Sequence, residues 1–375
     1  VAVLSYRYRI EPNKTQAALL AEMLADFCGL YNCALEHRIK AYEKGVSVRC
    51  NDQITALPAI RKDLPNQGRW SATAQQQVFR KLDKTFKSFF GRCKRGQTPG
   101  FPRFRARDRY HAADFRVGDG LTIRKNRKLG FVGIPGEIKV RWHRELPSKP
   151  ASAILSRNAG KWYIIFHVEV EAVDRASPDS VGVDLGLTSL LALSNGETVA
   201  RPNITKRNAA KLRRLQRALA RCKRGSKIRR KRKAAAAKLQ AHIGAARRDF
   251  LHKESRKLVN RFGRIAFEDL NTKGLAGGML AKHVYDASWA QLTAMTSYKA
   301  ANAGGEVVMV DPRGTSQTCP ECGTVAKKTL AERTHRCSCG CVLDRDVASA
   351  MVVHQRAFGR SPGMGVGSLI ERVAA

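Results

Sequence analysis

The chain has 375 residues, 43% of them hydrophobic, and 69 Lys and Arg against 31 Asp and Glu give a formal charge of +38. That much apolar material excludes a disordered basic tail, and the length predicts two or three domains. The charge predicts a polyanionic partner, nucleic acid being the usual one. No apolar run near 18 residues, amphipathic anchor or secretory leader points to a membrane. Five cysteines scattered outside one cluster (Cys28, Cys33, Cys50, Cys93, Cys222) read as free thiols of a reducing cytoplasm.

Residues 3–10 alternate Tyr6, Tyr8 and Ile10 with Arg7 and Arg9, which predicts a half-buried strand. Asn13 and Gln16 form a capping box for a helix whose apolar stripe runs Leu20, Leu24, Phe27, Tyr31, Leu35, Ile39, Tyr42. A second helix, about 71–91, takes Leu82, Phe86, Phe89 and Phe90 as its core face and leaves Gln76, Gln77, Arg80, Lys84 and Lys87 on the other. That polar face is either solvated or set against nucleic acid, where amides and cations contact base edges and phosphates. The loop 92–109 interleaves Phe101 and Phe104 with cations that include Arg103 and Arg105, an arrangement that can stack bases or pin the loop. From 110 to 170 short alternating strands separated by Gly and Asn turns predict a small β-barrel, completed by the opening strand. Residues 171–180 read as a linker.

In the second half Val181 and Val183 mark a buried strand that carries Asp184, a residue depleted in strands and costly to bury without a counter-charge. A hairpin partner follows, then a basic helical pair over 203–262, whose joining stretch includes Arg229, Arg230 and Lys231 and favours backbone phosphates. A strand over 265–267 closes on Glu268. A helix at about 286–303 with Trp289, Leu292 and Tyr298 leads to a strand at 306–312. The last helix opens at Asp344 and Asp346. Singly each acid has a structural explanation. Together, in so basic a chain, Asp184, Glu268 and Asp346 predict a site for two divalent cations, Mg²⁺ or Mn²⁺, that cleaves phosphodiesters. Before that helix stand Cys319 and Cys322, a C-P-x-C-G knuckle, and Cys337 and Cys339 in an irregular C-x-C pair. Four thiolates in two turns suit one structural Zn²⁺, with Cys341 or His335 as substitutes in the second pair.

GVDLG at 182–186, FEDLN at 267–271, TSQTCPECG at 315–323 and the CG…DRDV stretch at 339–347 resemble the TnpB (OrfB) family of bacterial insertion sequences, as do YRYRIEPNKTQ, TPGFPRF and RRDFLHKESRKLV. The resemblance implies an α+β multidomain RNA-guided DNA endonuclease. It implies a RuvC-like (RNase H-fold) nuclease core over 178–314 and 342–358 carrying Asp184, Glu268 and Asp346. A zinc-knuckle insert would span 315–341. The resemblance further implies a β-barrel wedge domain at 1–10 and 106–172, interrupted by a helical recognition domain at 11–105, with a loose tail at 359–375. The partners it implies are a guide RNA made from the transposon end, bound by one copy of the protein, and double-stranded target DNA. The Gln76/Gln77 helix lies where the family reads a short target-adjacent motif, while base pairing supplies sequence. The family continues D-x-N-A-A after its last acid, whereas Ala348 stands here in place of the Asn. That departure motivates an alternative, an RNA-guided DNA-binding regulator with weak or no cleavage.

Overall fold

The computed structural model describes residues 2–171, 176–271, 274, 287–329 and 332–359. The fold consists of two compact units, Val1–Val170 and Glu171–Ala375.

In the first unit seven strands close a barrel: β1 (Ala2–Glu11), β2 (Ala112–Val117), β3 (Gly120–Ile123), β4 (Leu129–Phe131), β5 (Ile134–Arg141), β6 (Ser152–Asn158) and β7 (Lys161–Val170). Their order around it is β1-β5-β4-β3-β2-β6-β7, so the opening strand does complete the barrel, between β5 and β7. Alternation explains the closure. On β7 Trp162, Ile164, Phe166 and Val168 are buried, and the intervening residues are less so. Trp142 stacks on Phe166 inside it. Between β1 and β2 the chain runs through α1 (Lys14–Glu43), three short helices α2 (Cys50–Thr55), α3 (Leu57–Asp63) and α4 (Pro65–Gly68), and α5 (Ala72–Lys94). The capping box is formed: Gln16 N donates to Asn13 Oδ1 at 2.8 Å, and Asn13 N donates to Gln16 Oε1 at 3.1 Å. Helices and barrel share one continuous apolar core.

Three expectations are corrected. Tyr42 ends the α1 stripe in solvent. Phe90 is exposed as well, although Leu82 of the same face is buried with Ala74, Gln75, Val78 and Phe79, and Phe86 packs against the core. And α1 is, by length and composition, apolar enough to cross a membrane, but half of its apolar window is core, as expected for the central helix of a folded unit.

The second unit is built on the five-stranded sheet β10-β9-β8-β11-β12, formed by β8 (Ser180–Asp184), β9 (Ser189–Leu193), β10 (Thr198–Ala200), β11 (Arg264–Glu268) and β12 (Glu306–Val310). β8, β9 and β10 are antiparallel, and β11 pairs in parallel with both β8 and β12. Between β10 and β11 lie α6 (Ile204–Ala220) and α7 (Lys227–Arg261), and α8 (Trp289–Asn302) precedes β12. Val181, Val183, Ile265 and Phe267 cover one sheet face with Leu251 and Leu258 of α7 and Leu292 of α8. Tyr298 of α8 is exposed. After a small hairpin, β13 (Thr334–Arg336) and β14 (Val342–Asp344), the closing helix α9 (Arg345–Phe358) packs on the other face through Val347, Met351 and Val353. The expected tail at 359–375 falls, from 360 on, outside the described residues.

α9 lies very close to the sheet because position 182 has no side chain. A Cβ on Gly182 would stand 2.2 Å from Ala350 O and 2.5 Å from His354 N, both backbone atoms that cannot swing away. Gly182→Ala is therefore expected to lift α9 and destabilise this unit by about 1–3 kcal/mol or more, read as a lowered denaturant midpoint.

Candidate active site

β8 and β11 are parallel neighbours with Val183 opposite Phe267, so the next residues along them, Asp184 and Glu268, end adjacent strands. Side chains alternate along a strand. With Val183 and Phe267 committed to the α7 and α8 face, both acids turn toward the α9 face. Asp346 lies in the first turn of α9, four residues before the Ala350 carbonyl that meets Gly182. Its Oδ2 is 3.5 Å from where a Cβ on Gly186 would stand, just past β8. Asp344 caps the helix, its Oδ1 accepting from Asp346 N at 2.9 Å and Val347 N at 3.1 Å. The structure thus brings together three acids drawn from strands 84 residues apart and a helix near the C terminus.

The electrostatics follow from this crowding. Burial, and then the charges of Glu268 and Asp346, push the Asp184 carboxyl up to about 8. Burial also raises Glu268, and Asp346 adds to the effect. Opposing this, Thr315 Oγ1 donates to Glu268 Oε1 at 2.5 Å. The Arg356 guanidinium lowers Glu268 as well, though it is engaged with the carbonyls of Asp311 and Arg313 at 2.8 Å each. Arg345 meets Asp346 at 3.4 Å. The buried Ser349 hydroxyl lies beside Asp184 and Glu268 and favours their charged forms, yet its Oγ has no partner at hydrogen-bonding geometry. Donors that are all oxygen, two acids short of positive charge and an orphaned hydroxyl among them fit a hard divalent cation. A cavity of about 350 Å³ lined by Leu185, Glu268, Asp269 and Trp289 opens beside them. Sequence reasoning missed Thr315 and Ser349. Thr315 opens the TSQTCPECG stretch and Ser349 stands three residues after Asp346, but their contact with the acids comes only from the fold.

The cysteine knuckle lies directly before α9. Cys319 Sγ is 3.7 Å from Cys339 Sγ, and Cys322 Sγ is 3.5 Å from Cys337 Sγ. All four ligand atoms lie within 4.8 Å of one another. A tetrahedral ion with Zn–S bonds of about 2.3 Å needs sulfurs about 3.8 Å apart, so the set fits. The knuckle is tied to α9 by Gln355 Nε2 donating to Pro320 O at 2.7 Å and by Arg345 N donating to Arg333 O at 2.8 Å.

The candidate nucleic-acid contacts sit on several surfaces. Gln77 and Arg80 of α5, with Lys81 and Lys84, line a groove of about 560 Å³ against Asp114 and Arg116 of β2 and His167 of β7. Gln76 is half-buried beside them, and Arg103 and Arg105 are exposed on their loop. Arg105 is partly held: its backbone exchanges two hydrogen bonds with the Asn32 amide. Arg230 and Lys231 are exposed at the start of α7. Arg229 differs, donating to the Leu219 and Cys222 carbonyls and so closing the C-terminal end of α6.

An acid cluster at the end of a mixed sheet, a four-sulfur knuckle behind it and a long basic helical pair define a nucleic-acid enzyme of several parts. Three family models match: "Probable transposase" of the OrfB IS605 type over residues 164–278, "Cas12f1-like, TNB domain" over 289–353, and "Helix-turn-helix domain" over 3–46. The last stretch folds here as a strand and one long helix. A "Putative RNA-guided DNA endonuclease" of Streptomyces pristinaespiralis is 34% identical over 92% of this chain and 87% of its own. The "Putative RNA-guided DNA endonuclease InsQ" of Escherichia coli K12 is 30% identical over 74% and 70%. A Cas12f1 in complex with guide RNA and target DNA has the same fold, with a TM-score of 0.59 at 13% identity over 91% of this chain and 83% of that one. The chain belongs to the TnpB (OrfB) family of insertion-sequence RNA-guided DNA endonucleases.

Proposed function

We propose that this protein cleaves DNA matched to a bound guide RNA, beside a short adjacent motif, with Asp184, Glu268 and Asp346 as its catalytic acids. The observation that carries the reading is the convergence of these acids at the ends of β8 and β11 and the start of α9. The strand order β10-β9-β8-β11-β12, three antiparallel strands and then two parallel ones with α9 across one face, supports a RuvC-like (RNase H-type) core. The three carboxylates would hold two Mg²⁺ or Mn²⁺ ions, which supply a deprotonated water and Lewis acidity at the scissile phosphate. Thr315 orients Glu268 through its hydrogen bond. Cys319, Cys322, Cys337 and Cys339 would hold a structural Zn²⁺ that fixes the segment leading into α9, and so the position of Asp346.

Fifteen of the thirty residues from 204 to 233 are Lys or Arg, and none is acidic. α6 has no buried residue, so its charges stand in solvent and repel one another until a polyanion neutralises them. The guide RNA or its heteroduplex is the partner this arm fits. Replacing Arg230 and Lys231 with Ala is expected to weaken RNA binding and to lower the log–log salt slope by about two, measured by filter binding from low to physiological salt.

The function is tested by purifying the full chain with its co-purifying RNA, sequencing that RNA, and supplying Mg²⁺ with matched and mismatched DNA. Cleavage of matched DNA alone is expected. Guided binding with intact DNA would match a regulator instead.

A further inference from the structure

A tetrahedral ion on Cys319, Cys322, Cys337 and Cys339 leaves two donors of the knuckle unused, His335 and Cys341. Their atoms and Cys319 Sγ all lie within 4.8 Å of one another. The two ligand sets have different surroundings. In the first, Cys322 and Cys339 are exposed and Cys337 is half-exposed. In the second, Cys319, His335 and Cys341 are all buried, at 1%, 1% and 3% exposure. A buried Cys is unremarkable by itself, since a thiol packs as a small hydrophobe. His335 is not: its Nε2 is buried without a partner, an arrangement that ordinarily costs stability. β13 and β14 hold the ring there, with His335 paired opposite Leu343. The turn between the strands is closed by Cys337 N donating to Cys341 O at 3.0 Å, which sets Cys341 at the inner end of the turn.

We propose that the knuckle holds two ions of the zinc class, an outer one on the four cysteines and an inner one on Cys319, His335 and Cys341, with the Cys319 thiolate bridging them. Two sulfurs and an imidazole nitrogen are the donor chemistry that Zn²⁺ takes, with a water completing the inner site. Five thiolates against two divalent ions leave one net negative charge, and Lys328, whose Nζ approaches His335 Nδ1, stands beside it. When Nε2 binds the ion the ring proton resides on Nδ1, and the Lys328 ammonium turns aside on its flexible stem. The inner ion would join Cys319 to β13 and to the residue preceding β14, whose last residue, Asp344, caps α9. It would therefore brace the helix that carries Asp346 more directly than the outer ion does.

The inference rests on the four-sulfur reading of the knuckle, and metal counting separates the two. The full chain, passed over a mild chelator to strip loosely held metal, is assayed for metal per protein by elemental and native mass spectrometry. Two zinc ions per chain are expected, falling to one in Cys341→Ser and in His335→Ala. One ion in the wild type, unchanged in both variants, would overturn the inner site and leave the outer one standing. Two ions persisting in both variants would place the second elsewhere and overturn it too. No ion at all would remove the four-sulfur site along with it. Should either variant misfold, the wild type suffices. Co²⁺ titration should saturate the sulfur-to-cobalt band at two equivalents, and X-ray absorption should show nitrogen beside sulfur; an all-sulfur shell would contradict the proposal.

Discussion

Replacing Asp184 with Asn is expected to reduce cleavage of guide-matched DNA by at least about two to three orders of magnitude, while guided binding stays near wild type. The side chain keeps its size and loses only its charge, so the sheet and Gly182 beside it are undisturbed. Binding is proposed to draw on the basic arm and the α5 groove rather than on Asp184. Glu268→Gln and Asp346→Asn are expected to behave alike. The double variants should be little worse than the singles, because groups that hold the same ions do not contribute independently. Single-turnover cleavage and filter binding on the same preparations check both halves. A loss of binding equal to the loss of cleavage would show that the acids shape the fold rather than the chemistry.

The second large effect is on the pH dependence of stability and of cation binding. The Asp184 carboxyl titrates at about 8 in the folded protein against 3.8 for its ordinary value. The folded chain therefore keeps a proton that the unfolded chain releases, and this contribution to stability is full below about 3.8. It is lost as pH rises toward 8, a change on the order of a few kcal/mol in the cation-free protein. Glu268 is shifted the same way. Divalent ions bind the deprotonated acids, so Mg²⁺ must displace the Asp184 proton below pH 8. Its apparent affinity should climb about tenfold per pH unit there and level off above. Thermal shifts with and without Mg²⁺ between pH 5.5 and 8.5 read this out, and calorimetry in buffers of different ionisation enthalpy counts the protons. Asp184→Asn should flatten the pH dependence of the cation-free protein and remove most of the Mg²⁺ stabilisation.

Much of this was legible in the residues. Period-two alternation from Phe115 to Val170 wrote the barrel, and the Asn13/Gln16 pair wrote the start of α1. An Asp in a strand that should not bury one, and a Glu ending another, marked two corners of the acid cluster. What stayed hidden depended on three-dimensional register. Thr315 and Ser349 are ordinary residues until the fold sets them against Glu268 and Asp184. The helices between 50 and 68 are too short to show a period, and Pro58 and Pro65 open two of them where a proline more often reads as a break. Leu82 and Phe86 meet the core as their spacing predicts, but Phe89 and Phe90 lie at the outer edge of that face. These rings instead gather with Phe101 around an open cavity of about 500 Å³. Arg229 was legible as a charge, though not as the residue that closes α6.

The most direct test is to replace Mg²⁺ by Mn²⁺ in the guide-loaded protein and locate the ions by anomalous X-ray scattering. Two manganese peaks among Asp184, Glu268 and Asp346, absent from Asp184→Asn, are the predicted result. Cleavage-competent protein with no manganese at those carboxylates would contradict the account.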